Sequence, residues 1–367
     1  MIRTVLIDDE APARDRLRSL LDACEEVEIV GEAGDGEQAL RVVAERRPDL
    51  IFLDIEMPGR NGMEVAATLT PPRPRIVFCT AFDQYAIEAF EHHALDYLLK
   101  PVNRERLQST IERVRATLAE SRESRRELDA ASRTQERLYP QVPTPITGLD
   151  YAGCCRSARG VGGDYYDFLP AGERRLGIAV GDVSGKGIFA GLLMAGLQAR
   201  LQSLAARHET ALPLLFESIN RSTYESTDAN RYATLFYGVY DGADGRMRYV
   251  NAGHNAPLLL RPDGTTVRLE SNGPAVGMLP DARYEEASVA LEPGCMLLGY
   301  TDGVTEALDP AGQEFGEARL ERWARALINL EAAAACEALV GHVESFAAGP
   351  GPADDLTLSL VRVEARR

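Results

Sequence analysis

The sequence predicts two domains joined by a helix: an N-terminal α/β unit built on a parallel sheet, and a C-terminal α+β unit of stacked sheets with flanking helices. Three observations predict it. Over residues 1–118 short apolar runs alternate with amphipathic stretches, the pattern of parallel strands joined by crossover helices. Residues 119–147 are charge-rich until YPQVPTPITG, whose prolines and glycine end any helix. From residue 148 onward, β-type runs bounded by Gly, Asp and Asn dominate.

In the first domain the elements follow in order as TVLIDD, ARDRLRSLLDAC, EIVGEA, GEQALRVVAER and LIFLDI. A small helix over residues 62–69, RIVFCTA, a helix from Tyr85 to Glu91, ALDYLLK and a helix from Asn103 to Thr117 complete it. Five strands and five helices in this alternation predict a flavodoxin-like, doubly wound fold. The segment from Arg115 to Arg137 lacks Gly and Pro and predicts one long exposed helix. It is either a parallel dimeric coiled coil or a solvated spacer, because Ser121, Arg125 and Ser132 fall near the seam that Leu118 and Leu128 would define. In the second domain LGIAVGDV, ATLFYGVYD, RMRYVNAG, APLLLRPDG, CMLLGYTDG and LTLSLVRV read as strands. Ile188–Ala206, Leu212–Glu225 and Glu317–Phe346 read as helical stretches.

Composition narrows the function classes. The 367 residues suffice for two cores, and 45% hydrophobic with 26% charged residues is the balance of a soluble protein. No apolar run approaches the roughly 20 residues of a membrane span, and MIRTVLIDDE is too briefly apolar for a signal peptide. The expectation is a cytoplasmic protein without a membrane partner. A formal charge of −16 opposes a broad nucleic-acid grip and favours divalent-metal sites. Six scattered cysteines without a CxxC pair indicate neither a zinc site nor a disulfide framework.

Chemistry should gather where parallel strands end at their carboxyl edge. Asp8 and Asp9 close the first strand, Asp54 the third, Thr80 the fourth and Lys100 the fifth. Three neighbouring carboxylates repel unless a hard cation joins them, which implies Mg²⁺. Such a site suits phosphoryl transfer to Asp54, with Lys100 and the cation neutralising oxygens and Thr80 donating to one of them. DD, FLDIEMPGRNG, CTA and LLKP together resemble the response-regulator receiver family over residues 1–118. The resemblance implies Asp54 as phospho-acceptor, Asp8 and Asp9 as metal carboxylates, and Glu56 as a metal ligand through its carbonyl. It also implies Thr80 and Tyr97 as a switch pair, and a histidine kinase as phosphodonor. AFDQYAIEAFEHHALDYLLKP resembles receivers that carry a LytTR DNA-binding output, yet no basic recognition region follows. His92 and His93 read as exposed helix residues, since no third ligand is near.

The second domain embeds acids among turn glycines: VGGDYYDF (Asp164, Asp167), GDVSGKG (Asp182), TDGVTEA (Asp302, Glu306) and GPADDLTL (Asp354, Asp355). Glycine beside aspartate lets backbone approach closely and aims a short carboxylate at a shared centre. Four such corners can hold two divalent ions, which can activate a bridging water for displacement at phosphorus. With ATLFYGVYD, YVNAGHNAPLLL and GPAVGMLP, these motifs resemble the SpoIIE-like branch of the metal-dependent (PPM-type) protein phosphatases, from about Gln135 to Glu364. The resemblance implies a β-sandwich flanked by helices and a Mn²⁺- or Mg²⁺-dependent phosphoserine/phosphothreonine phosphatase. In it Asp182 bridges with the Val183 carbonyl beside it, Asp302 and Asp354 complete one metal's shell, and Asp164 serves the other. Asp167 and Asp355 are second-choice acids, with Asp355 carried as a further metal ligand; the alternative for each is to orient metal-bound water or cap a turn. The implied substrate is a phosphorylated STAS-type anti-sigma factor antagonist.

NAGHN, with Asn251, His254 and Asn255, reads as a self-bonded turn in preference to a phosphate-binding loop. The apolar stretch from Ile188 to Leu204 starts directly after the Asp182 loop, which makes it a candidate control lever. A diguanylate cyclase is the competing enzyme class, but its GGDEF signature is broken here by Tyr165 and Tyr166. A degenerate, metal-free binding module would have lost a principal acid, and all four are present. The expected whole is a response regulator whose phosphatase output is controlled through Asp54 and a linker helix able to pair two copies.

Overall fold

The computed structural model describes residues 1–70, 72–81, 94–140, 144–158, 160–205, 211–228, 230–347 and 354–364. The helix expected over Tyr85–Glu91, with His92 and His93, lies outside them. The chain divides into two units, Met1–Arg125 and Arg126–Arg367.

The first unit runs β1 (Ile2–Ile7), α1 (Ala11–Leu21), β2 (Val27–Ala33), α2 (Gly36–Arg46), β3 (Leu50–Leu53), α3 (Gly62–Thr68), β4 (Arg75–Thr80), β5 (Asp96–Leu99) and α4 (Arg104–Glu136). Its sheet has the order β2-β1-β3-β4-β5, parallel throughout. The order reverses at β1, which opens a crevice at the carboxyl ends of β1 and β3. Strand alternation sends Val5, Ile7, Ile51, Leu53, Ile76 and Phe78 to the α2–α3 face, and Leu6, Phe52, Val77 and Leu98 to the face covered by α1 and the start of α4. An Asn61–Glu64 capping box starts α3, satisfying two backbone donors reciprocally.

The last helix of the first domain and the linker helix, expected separately, are one 33-residue helix, α4. No Gly or Pro interrupts it. From Ala119 to Ala130 every residue is exposed, and Leu128 is the large apolar side chain among them. That is thin material for a coiled-coil seam and fits a solvated spacer better.

The second unit runs β6 (Leu149–Arg156), β7 (Tyr165–Pro170), β8 (Arg175–Val183), α5 (Ile188–Ala205), α6 (Leu212–Ser226), β9 (Ala233–Asp241), β10 (Arg246–Ala252), β11 (Leu258–Leu260), β12 (Thr266–Arg268), β13 (Ala287–Ala290), β14 (Met296–Tyr300), α7 (Asp302–Thr305), α8 (Gly316–Ala326), α9 (Ala332–Ala347) and β15 (Leu356–Val363). Two five-stranded sheets, β13-β10-β9-β8-β7 and β12-β11-β14-β15-β6, stack face to face. Along β8, Ile178 and Val180 point into the space between the sheets, while Ala179 and Val183 face α5 and α6. Helices α8 and α9 cover the outer face of the other sheet. The expected sandwich flanked by helices is therefore the observed one.

Two expectations need amending. Glu317–Phe346 is two helices, because α8 stops at Ala326 and α9 restarts where the Asp150 carboxylate accepts the Ala332 N–H at 2.9 Å. The helices then lie against each other, with Trp323 stacked on His342. Among the described residues α5 is long and apolar enough to cross a membrane, at 18 residues and mean hydropathy 1.2. Its Ala190, Met194, Leu197 and Leu201 nonetheless pack in the core between sheet and α6.

Candidate functional site

In the first unit the strand ends bring the expected residues together. Asp8 and Asp54 are buried, Asp9 is exposed, and carboxylate oxygens of the three lie within 4.8 Å of one another. Oxygen donors so close fit a hard divalent cation. Lys100, aimed by the end of β5, places its Nζ 2.5 Å from Asp54 Oδ2 and 2.7 Å from Asp8 Oδ2. Burial works against its charge, but the hydrogen bonds and charges of Asp54 and Asp8 outweigh burial and raise its pKa. Glu56 is exposed, its backbone N–H pointing at Asp54 Oδ1 at 3.3 Å. The Thr80 hydroxyl is buried without a hydrogen-bond partner among the described residues, so it has bonding capacity for an incoming oxygen. Tyr97 is half-buried against the α2–α3 core. Gly62 is required at the start of α3, because any Cβ there would overlap the Asp54 carbonyl.

In the second unit four corners converge. Asp164 precedes β7 and is buried, with Oδ2 accepting the Thr301 hydroxyl at 2.7 Å. Thr301 in turn accepts the Thr357 N–H at 3.0 Å. Asp182 lies near the end of β8. Burial, then the charges of Asp302, Asp354 and Asp355, push its carboxyl up to about 7. Burial and the Asp182 charge likewise raise Asp164, and burial and Asp354 raise Asp302. Acids that lift one another's pKa are a donor set that a divalent cation would relieve, so the residues fit the metals the motifs imply. These four do not crowd as tightly as the three receiver acids. The Val183 carbonyl faces Gly163, where a Cβ would stand only 2.8 Å from it.

The second-choice acids are placed differently. Asp355 Oδ1 accepts the Ala158 N–H at 2.8 Å and the Ser157 hydroxyl at 3.0 Å, and Oδ2 accepts the Gly163 N–H at 2.9 Å. This is a carboxylate clamping a loop. Asp167 is turned away toward the helices, receiving the Tyr165 hydroxyl, Gln202 and the Phe168 N–H. His254 is buried behind Asp182, its Nδ1 2.8 Å from the Thr234 hydroxyl. Burial pulls its pKa down to about 4. Asn251 accepts the His254 N–H and donates to the His254 carbonyl, while Asn255 is half-buried beside it. The turn's backbone is bonded as the turn reading expects, but the buried His254 Nε2 has no hydrogen-bond partner among the described residues.

Sequence reasoning missed five participants. Besides Thr301, Lys186 places Nζ 2.7 Å from Asp354 Oδ2. At the end of α4 the buried Gln135 pairs with Gly162 twice, donating to its carbonyl at 2.8 Å and accepting its N–H at 3.0 Å. The Tyr139 hydroxyl donates to the Asp164 carbonyl at 2.8 Å, and Gln198 of α5 donates to the Leu138 carbonyl at 2.6 Å. Only the lysine in GDVSGKG and the threonine that opens TDGVTEA lie inside motifs the sequence had marked.

Residues 172–364 match the family model described as Stage II sporulation protein E (SpoIIE), and residues 4–112 match the response regulator receiver domain. The transcriptional regulatory protein BtsR of Salmonella typhi is 51% identical over 116 residues, covering 31% of this chain and 48% of that protein. The chain thus spans about half the length of the curated relatives it matches. The SiaA-PP2C domain of Pseudomonas aeruginosa superposes with a TM-score of 0.58 at 21% identity, covering 66% of this chain and 98% of that one. The PP2C phosphatase domain of SpoIIE from Bacillus subtilis gives 0.52 at 21% identity, over 60% and 64% of the two chains. These two are likenesses of fold.

Proposed function

We propose, starting from the fact that this chain belongs to the SpoIIE family and carries a response regulator receiver domain, that it is a response regulator whose output is a Mn²⁺- or Mg²⁺-dependent phosphoserine/phosphothreonine protein phosphatase. One observation carries the reading: four separate corners of the sandwich bring Asp164, Asp182, Asp302 and Asp354 together, so that burial and the neighbouring carboxylate charges raise the pKa of Asp164, Asp182 and Asp302. Asp164, Asp182 with the Val183 carbonyl, Asp302 and Asp354 would hold the ions. When bound, these would supply Lewis acidity at phosphorus and a nucleophile at neutral pH. The chain's own groups set the stage: Thr301 orients Asp164, Asp355 fixes the loop that presents Gly163, and buried His254 stays neutral.

In the receiver, Asp54 is the proposed phospho-acceptor, with Asp8, Asp9 and the Glu56 carbonyl around Mg²⁺. Lys100 meets the transferred phosphoryl group and Thr80 donates to it, with Tyr97 following Thr80 as the switch partner. A sensor histidine kinase is the proposed donor and a phosphorylated STAS-type anti-sigma factor antagonist the proposed substrate, both in the cytoplasm. Coupling is assigned to α4, which starts in the receiver unit and whose last part, roughly three turns from Arg126, belongs to the phosphatase unit. Through Gln135, Tyr139 and Leu138 the end of this segment holds the Gly162–Asp164 loop and α5, so a displacement of the helix end reaches a metal-site acid. A homodimer through the linker is the quaternary form to be checked by sedimentation.

The test is metal-dependent phosphate release from a phosphoserine protein and from an aryl phosphate. Asp182→Ala is expected to abolish both; full Mn²⁺-dependent activity in that variant would overturn the site.

A further inference from the structure

We infer that Lys186 is a tethered cation that competes with a divalent metal for the Asp354 carboxylate and so sets the metal affinity of the acid cluster. The inference rests on Asp354 being a ligand, as proposed above. Its ammonium lies 2.7 Å from Asp354 Oδ2, while Oδ1 of the same carboxylate is occupied by the Asp355 N–H at 2.9 Å. Both oxygens therefore have partners. A divalent ion using Oδ2 must share it with a positive charge or evict that charge.

The loop is built to present this side chain. Gly185 and Gly187, either side of Lys186, both have left-handed backbone, with φ of 104° and 78°, a conformation that L side chains resist. A Cβ at Gly185 would also crowd the Arg231 guanidinium. The segment spans only the gap between the end of β8 and the start of α5, so the lysine is tethered on the short loop that follows Asp182. Its charge is felt at Asp302 and Glu306 as well as Asp354, placing it electrostatically inside the cluster.

Lys186 and Asp354 side chains are 44% and 41% exposed, so the pair is screened and its loss costs the protein little. The lysine is then a threshold and not a lock. Metal binding should displace it, leaving an ammonium at the rim of the site.

The measurement is Mn²⁺ binding to the full chain, followed by the electron paramagnetic resonance signal of free Mn²⁺, for wild type, Lys186→Gln, Lys186→Ala, Lys186→Arg and Asp302→Asn. Binding by the receiver acids is common to all five and subtracts. Removing a screened pair of about 0.5–1 kcal/mol predicts roughly two- to fivefold tighter Mn²⁺ binding in the two neutral variants, with Lys186→Arg close to wild type. Unchanged or weaker binding in both neutral variants overturns the inference, as does equal tightening by Lys186→Arg. If Asp302→Asn leaves the wild-type titration unaltered, the metal-site reading itself fails and takes this inference with it. Loss of binding in Asp302→Asn with no response to the lysine changes overturns only the competition.

Discussion

Replacing Asp355 by Asn separates a loop clamp from a metal ligand. The carboxylate accepts three hydrogen bonds, two on Oδ1 and one on Oδ2. An amide whose oxygen takes the Oδ1 place keeps Ser157 and Ala158 but turns an NH₂ toward the Gly163 N–H, leaving two donors face to face. One charge-assisted bond is lost and a half-buried N–H goes unpaired, costing about 2–3 kcal/mol. For a unit of this size each kcal/mol corresponds to roughly 2–4 °C in Tm. The phosphatase transition in differential scanning calorimetry should therefore fall by about 4–12 °C. Mn²⁺ affinity measured below that transition should change far less than in Asp354→Asn. A variant that melts like wild type but loses a bound Mn²⁺ would refute the reasoning and make Asp355 a ligand.

Three further outcomes follow from other contacts. Gly62→Ala forces a methyl group into the Asp54 carbonyl and should cost the receiver about 1–3 kcal/mol, read by urea unfolding, together with slowed labelling by acetyl phosphate. Gln135→Leu strands the N–H and carbonyl of Gly162 and should weaken Mn²⁺ binding while lowering phosphatase-unit stability by about 1–3 kcal/mol. For Asp96, burial favours the neutral acid, but Thr110, Arg106 and the Tyr97 N–H outweigh it and hold the pKa below the ordinary value. A depressed pKa contributes stability that is complete above the unfolded value of about 3.9 and disappears as pH falls through the folded one. The stability gap between wild type and Asp96→Asn should accordingly be present at neutral pH and close in acid, as checked by urea titrations across pH 2–7.

Both sites were legible where chemistry and local geometry coincide. A carboxylate at the end of an apolar strand must emerge at the sheet edge, so Asp8, Asp54, Thr80 and Lys100 could be placed from strand order alone. The glycines beside Asp164, Asp182 and Asp302 likewise marked corners where backbone crowds a side chain. What stayed hidden depends on pairing across large sequence separations. Thr301 reaches Asp164, and Gln135 reaches Gly162, only after the sheets stack and α4 docks its end. The same folding decides between neighbours that sequence leaves equivalent: Asp354 and Asp355 are adjacent, yet one faces Lys186 and the other closes a loop. The break between α8 and α9 was invisible for a similar reason, since the cap on Ala332 comes from Asp150 in another strand.

The central claim is that the phosphorylation state of Asp54 governs hydrolysis at the Asp164–Asp354 cluster. It is tested most directly by the rate of phosphate release from a phosphorylated STAS-type protein with the full chain in Mn²⁺, with and without acetyl phosphate. The account predicts that the donor changes the rate for wild type and leaves Asp54→Ala unaffected. A donor response in Asp54→Ala equal to that of wild type would contradict it.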